Sequence, residues 1–364
     1  MPVRARRLLA CPCHGPGGPR SFAALDLGAG AVAPELAYVT ARFAAPAPFG
    51  KVGALLAELL PLGGAANAGT VRNRTRRIGQ AVAQPFSAET AKRPAAGATG
   101  PVVVGLDGGH VRSRHPEEGR HFEVVAGKVI DAGGVQHRFA FARDGRAASA
   151  EALRRALAAA GVTAAVPATV LCDGDAGLWR LQREVLPGAT PVLDWWHAAV
   201  RFEHALQAAR GLEAPLADRA ARDLDRAKWR LWHGRWAGCR DGLAALLRWT
   251  GRGPVREAAG IARLQRHATG LLGYLEHNAG ALVPYAARRR RKQPISTAFV
   301  ESAVNEIVAK RMNKRQQMRW DRATVQPFLD VRTAVLNGTL EDAFRPRYPG
   351  FRPTNDRAAL PAAA

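Results

Sequence analysis

The chain has 364 residues, 47% of them apolar, which is enough for two or three domains with at least one true core and excludes a disordered tail. Fifty-three Lys and Arg against 30 Asp and Glu leave a net charge of +23, a balance that suits a polyanionic partner, nucleic acid before an anionic membrane. Four cysteines, at 11, 13, 172 and 239, are too few for a disulfide framework, and the longest apolar windows, such as VGALLAELLPL, are too short to span a bilayer, so the chain reads as a cytoplasmic, non-secreted protein.

Residues 1–35 are rich in Gly, Pro and Ala and read as a loose arm. Cys11, Cys13 and His14 within it offer zinc ligands, but the C-x-C-H spacing is unusual and no second pair follows nearby, which argues against zinc. Over 36–95, Val52, Leu55, Leu56, Leu59 and Leu60 fall at helical spacing, Gly63 and Gly64 break the pattern, and a second helix carries Arg72, Arg74, Arg76 and Arg77. The pattern is that of a helix-turn-helix whose second helix is basic enough for a DNA groove; two helices of an ordinary bundle with a solvated basic face fit the same residues. A polar, Pro- and Gly-rich linker closes the segment near residue 95.

Residues 96–202 change character. PVVVGLDGGHVRSR, RHFEVVAGKVID and VQHRFAFARD predict three short strands, SAEALRRALAAAG a helix, and ATVLCDGDAGLW and ATPVLDWWHAAVRFEHAL each a strand running into a helix. The order β-β-β-α-β-α-β-α is that of a ribonuclease H-like domain with a mixed five-stranded sheet, although other α/β folds approximate it. Residues 203–293 read as all-helical, with Trp229, Trp232 and Trp236 expected in their core, and end in the basic run Arg288, Arg289, Arg290, Arg291 and Lys292. From Ser296 a single long amphipathic helix is expected, with Ser296 or Thr297 as N-cap, Val300, Val304, Ile307, Val308 and Met312 as its apolar stripe, and Lys310, Arg311, Lys314, Arg315 and Arg319 as a basic stretch; it belongs to a final segment over 294–340, before a Pro-rich tail at 341–364.

Asp107 directly follows VVVGL and Asp173 directly follows TVLC. A carboxylate at the end of a buried strand is costly unless a cation offsets it, and two on adjacent strands offer the oxygen donors a hard divalent ion needs. Asp175 competes with Asp173, and an Asp in such a DG turn is often no more than a turn residue. Asp194 and His197 stand one helical turn apart after the last strand, where Asp194 can cap the helix or orient a catalytic group.

The segments GLDGGHVRSR, LCDGDAGLWRLQREVLPGATPVLDWWHAAVRFEHAL and FVESAVNEIVAKRMNKRQQMRW together resemble a DDE transposase of a bacterial insertion sequence, of the ISKra-type group related to Mutator-like transposases. The resemblance covers about residues 100–340, with STAF standing where the family has a Gly-Ser-Gly-like turn. It implies Asp107, Asp173 and Glu301 as catalytic ligands of two Mg²⁺ or Mn²⁺ ions, Asp194 and His197 as auxiliary residues, and residues 203–293 as an insertion domain. It further implies cleavage at element ends and strand transfer into target DNA, a homodimer or larger synaptic assembly, and a nucleoid-associated location. A decayed or domesticated DNA-binding relative, or a nuclease or resolvase of the same fold, is the alternative.

Overall fold

The computed structural model describes residues 32–348 and Phe351, apart from 63, 84–99, 164 and 314–317. Cys11, Cys13, His14, Lys314, Arg315 and most of the Pro-rich tail lie outside the described residues. The chain divides into two compact units, one built from 94–110 and 123–306, the other from the N-terminal helices, the 111–122 turn and everything from 307 onward.

The first unit is mixed α/β. Its elements run β1 (Val102–Arg112), β2 (His121–Ile130), β3 (Gln136–Ala142), α4 (Arg146–Ala159), β4 (Ala168–Cys172), α5 (Ala176–Val185), β5 (Thr190–Leu193) and α6 (Trp195–Arg210). The five strands form one sheet in the order β3-β2-β1-β4-β5; β2 and β3 are antiparallel, while β1, β4 and β5 are parallel neighbours. The run VVVGL explains why β1 sits centrally: Val102, Val104 and Leu106 are buried, and a parallel strand covered on both faces needs a near-continuous apolar sequence. Val170, Leu171 and Cys172 of β4 and Val192 and Leu193 of β5 repeat the pattern.

Beyond α6 the chain is helical through α7 (Leu216–Trp232), α8 (Trp236–Thr250), α9 (Ile261–His277) and α10 (Tyr285–Arg290). This segment does not have a core of its own. Phe202, Leu224, Leu243, Leu271 and Tyr285 belong to the same buried cluster as Val104 and Val170, so the helices extend the sheet's core. Trp232 packs on Trp195 and Tyr285, with ring centroids 4.7 and 6.3 Å away, and Trp236 also lies against this cluster. Trp229, expected in the core, is instead 61% exposed.

The long helix expected from Ser296 is two pieces, α11 (Ala298–Val304) and a π-helical stretch over Asn305–Asn313. A π stretch inside a helix shifts the faces of the residues that follow. Val300, Ile307, Val308 and Met312 are buried as the stripe predicts, and Arg311 is buried with them.

In the second unit, α1 (Pro34–Ala44), α2 (Phe49–Leu59) and α3 (Ala68–Val82) pack with α12 (Gln326–Asn337) and α13 (Leu340–Phe344). Thus 307–340 groups with the N-terminal helices rather than with the sheet. Asn67 caps α3 by accepting from Thr70 N at 2.8 Å, and Val71, Thr75, Ile78 and Gly79 form its buried face. A Cβ on Gly79 would meet Pro327 O at 1.8 Å, which is how closely α3 and α12 approach. Arg311 is enclosed here: Nε donates to Ala44 O at 3.3 Å, and the guanidinium stacks on Phe49, Phe328 and Trp320. Among the described residues no helix is long and apolar enough to cross a membrane.

Candidate active site at the strand ends

The register of the parallel strands builds the site. Gly105 pairs with Leu171, and Cys172 with Leu193; continuing both ladders sets Asp107, Asp173 and Asp194 level across three neighbouring strands, with Asp173 and Asp194 just past the ends of β4 and β5. Asp107, expected where its strand stops, lies instead within β1, which runs on through the two glycines to Arg112. The three aspartates thus share the carboxyl edge of the sheet, the edge at which open α/β sheets bind ligands.

Each is held differently. Asp107 Oδ1 accepts from Gly108 N at 2.7 Å, and the side chain is partly buried. Burial, followed by the Asp173 charge, pushes its carboxyl up to about 6; Glu301 adds to the rise, while the Gly108 hydrogen bond and His197 oppose it. Asp173 Oδ1 accepts from Asp175 N at 3.0 Å. Gly174, at φ +101°, makes the turn that follows, and a Cβ there would sit 2.8 Å from Tyr274 Cε2. Asp175 is the cap of α5, accepting from Gly177 N and Leu178 N at 2.9 and 2.8 Å, and it lies 3.5 Å from Arg143 Nη1.

Asp194 is 0% exposed, and both its oxygens are engaged. Oδ1 accepts from Trp196 N at 2.6 Å, capping α6, and Oδ2 accepts from the Thr297 hydroxyl. Thr297 therefore stands at the start of α11 without capping it by its side chain, and spends its hydroxyl on Asp194 instead. His197 Nε2 lies 3.8 Å from Asp194 Oδ2 and 3.9 Å from Glu301 Oε1, and the Glu301 side chain is 46% exposed.

Glu301 reaches this edge because α11 docks on β1. A Cβ at Gly105 would lie 1.7 Å from Val300 Cγ2, so only glycine admits the helix at this height, two residues before Asp107. Lys128 Nζ donates to Ser302 Oγ at 3.0 Å and Arg138 Nε to Glu306 Oε2 at 2.9 Å, fastening the helix to β2 and β3. One ligand atom from each of Asp194, His197 and Glu301 lies within 4.8 Å of the other two. Asp107, Asp173 and Glu301, expected to share metal ions, do not form so tight a group among the described residues. They are coupled through the charges that raise Asp107.

Several contributors carry no sequence signal. Tyr274 of α9 donates its hydroxyl to Asp173 O at 2.7 Å, Arg201 lies over its ring at 4.1 Å, and Tyr285 donates to Leu193 O at 3.0 Å. Residues about a hundred positions away thus fix the backbone on which two of the aspartates ride.

The expected DNA-binding residues separate by exposure. Arg72, Arg77, Arg289, Arg290, Arg291, Lys292, Lys310 and Arg319 are exposed. Arg74 is half-buried, with Nη1 donating to Thr40 Oγ1 at 3.1 Å, and Arg288 Nε donates to Pro294 O at 3.2 Å. Arg76 is half-buried as well. Arg311 is the correction: at 0% exposure it cannot face a phosphate, because its place on the apolar stripe turns it inward. Compared with known proteins, the chain matches no family model and no curated relative.

Proposed function

We propose that this chain is a DDE transposase with a ribonuclease H-like core, acting on the ends of a DNA element and joining them to target DNA. The observation that carries the reading is the level row of Asp107, Asp173 and Asp194 on three adjacent strands, where β4 and β5 end beside β1, with Glu301 brought to the same level by a helix docked on the central strand. The sheet order β3-β2-β1-β4-β5, with its last three strands parallel, supports the same fold.

The donors suit a hard cation. Carboxylate oxygens predominate, and the Asp107 carboxyl, raised first by burial and then by the Asp173 charge, is one whose ionised form Mg²⁺ or Mn²⁺ would favour. Asp107, Asp173 and Glu301 would hold the ion, with the His197 imidazole beside Glu301; Asp194, bonded through both oxygens, is better placed to position than to bind. A divalent ion bound there supplies Lewis acidity to the phosphodiester and makes a bound water or hydroxyl a better nucleophile. The protein's own contribution is geometric. The body of β1 holds Asp107 and the end of β4 holds Asp173, the cap of α6 and the Thr297 contact fix Asp194, and the docked α11 fixes Glu301, so that little reorganisation is needed when charge develops on phosphate. Exposed arginines and lysines would hold the DNA backbone.

The test is incubation of the protein with Mg²⁺, labelled duplex from the ends of its own element, and a target plasmid. Joined products are expected for the wild type and lost for Glu301→Gln. Cut but unjoined ends would mean a nuclease or resolvase of this fold, and binding without cleavage a non-catalytic relative. Near-normal joining by Glu301→Gln would remove the site assignment.

A further inference from the structure

Basic side chains in the helical unit converge on a pocket that the cleavage chemistry does not use. It measures about 140 Å³, and Arg72 and Arg76 of α3, Arg114 of the β1–β2 turn and Arg319 line it. Phe49, Trp320 and Phe328 wall it. Among the described residues none of the four arginines has a carboxylate partner. The single acid at the pocket, Asp321, is occupied locally, with Oδ1 accepting from Ala323 N at 2.9 Å and Oδ2 from Thr324 Oγ1 at 3.1 Å.

A second observation points to a ligand. Arg76 Nε, Trp320 Nε1 and Arg311 Nη2 are buried donors without an acceptor among the described residues, and Trp320 is only 7% exposed. Buried donors are normally satisfied; Arg76 and Trp320 belong to residues that line the pocket, and Arg311 packs on its aromatic walls, 5.0 Å from the centroids of Phe49 and Phe328 and 5.3 Å from that of Trp320. The set is donor-only and cationic, which selects an oxyanion. The volume selects a small one, since pockets for larger organic ligands begin at about 300 Å³.

We propose that this pocket seats a single phosphate group of a DNA backbone, with the Arg72, Arg76, Arg114 and Arg319 guanidinium groups closing around it. The phosphate class follows from the donors. The choice of DNA over a free anion rests on the proposed function. Arg114, not among the basic residues singled out in the sequence, joins the binding set because its backbone is fixed by Arg114 N donating to Trp320 O at 2.7 Å.

The experiment uses the full chain in EDTA, so that no catalysis contributes, with two probes: inorganic phosphate followed by calorimetry, and a fluorescein-labelled duplex followed by anisotropy over a salt series. The variants are Arg76→Gln, together with Arg72→Gln and Arg319→Gln, which are exposed and so spare the fold. Phosphate binding is expected in the wild type and should weaken several-fold in each variant. For Arg76→Gln the slope of log K against log salt for the duplex should also fall by about one. No phosphate binding by the wild type, with an unchanged slope in folded variants, overturns the pocket. Weakened phosphate binding with unaltered duplex binding overturns DNA as the source and leaves a free-anion site. Because neither readout involves cutting or joining, a failed strand-transfer assay refutes the proposed function without touching this result.

Discussion

At the carboxyl edge of the sheet, four carboxylates and one imidazole gather on rigid elements, and burial together with the neighbouring Asp173 charge pushes the Asp107 carboxyl up to about 6. In the helical unit the converging charges are of the opposite sign and carried differently: Arg72 and Arg77 are exposed on α3, each on a long flexible stem and, among the described residues, without a carboxylate partner. The acids are few, individually fixed and mutually repelling, so each should matter by itself. The surface cations are many and screened by salt, so each should matter little. Lys310 and Arg311 mark the boundary of this rule, because adjacent residues of similar charge have opposite fates: Lys310 is exposed and Arg311 is fully buried.

The largest effect should come from breaking the exception. Arg311→Ala removes the hydrogen bond to Ala44 O and empties the space between three aromatic rings, and a loss of about 3–4 kcal/mol in chemical denaturation is expected for so buried a group. A loss below 1 kcal/mol would mean that the enclosed arginine contributes little to packing. Next is Gly105→Ala, which forces Val300 away from β1 and should cost about 1–3 kcal/mol, with Mg²⁺-dependent cleavage falling further than stability because Glu301 moves with its helix. Unchanged cleavage in a folded Gly105→Ala protein would show that the height of α11 above the sheet is not what places Glu301.

Asp107→Asn tests burial and repulsion together. Its carboxyl, raised from 3.8 to about 6, binds its proton more tightly in the folded protein than in the unfolded one, so folding loses stability as pH rises from about 4 to about 6 and stays penalised above that. Asparagine does not titrate. In EDTA the variant should therefore match the wild type near pH 4 and exceed it at pH 7.5 by on the order of 1–3 kcal/mol, while losing catalysis. Equal differences at both pH values would sink the argument. Smallest of all, Lys310→Ala should leave the thermal midpoint unchanged and lower DNA affinity only a few-fold, with the salt slope reduced by about one, as measured by anisotropy. A change in stability instead would place Lys310 with its buried neighbour.

How much of this was legible can be argued residue by residue. The strand at Val102 and the end of β4 at Asp173 follow from runs of β-branched residues, a purely local signal, but the DGG after VVVGL does not stop β1, which runs on to Arg112. The inward turn of Arg311 was legible too: at 100° per residue it falls about 20° from Val300, in the middle of the apolar stripe, and only its charge argued against burial. Trp229 shows the opposite failure, since helical spacing with Trp232 and Trp236 cannot say which residue of a stripe's edge faces solvent.

By itself, then, the sequence determined the order of the elements, the positions of Asp173 and Asp194 at strand ends, and the side of α11 that is apolar. All of these depend on periodicity and on neighbours within a few residues. Tertiary structure alone decided that Thr297 bonds Asp194 rather than capping its own helix, that Tyr274 holds the Asp173 backbone, and that Gly105 lets Glu301 approach. Those contacts join residues from about a hundred to nearly two hundred positions apart, and no local pattern carries them, because what selects each partner is the space left once the sheet and helices have packed.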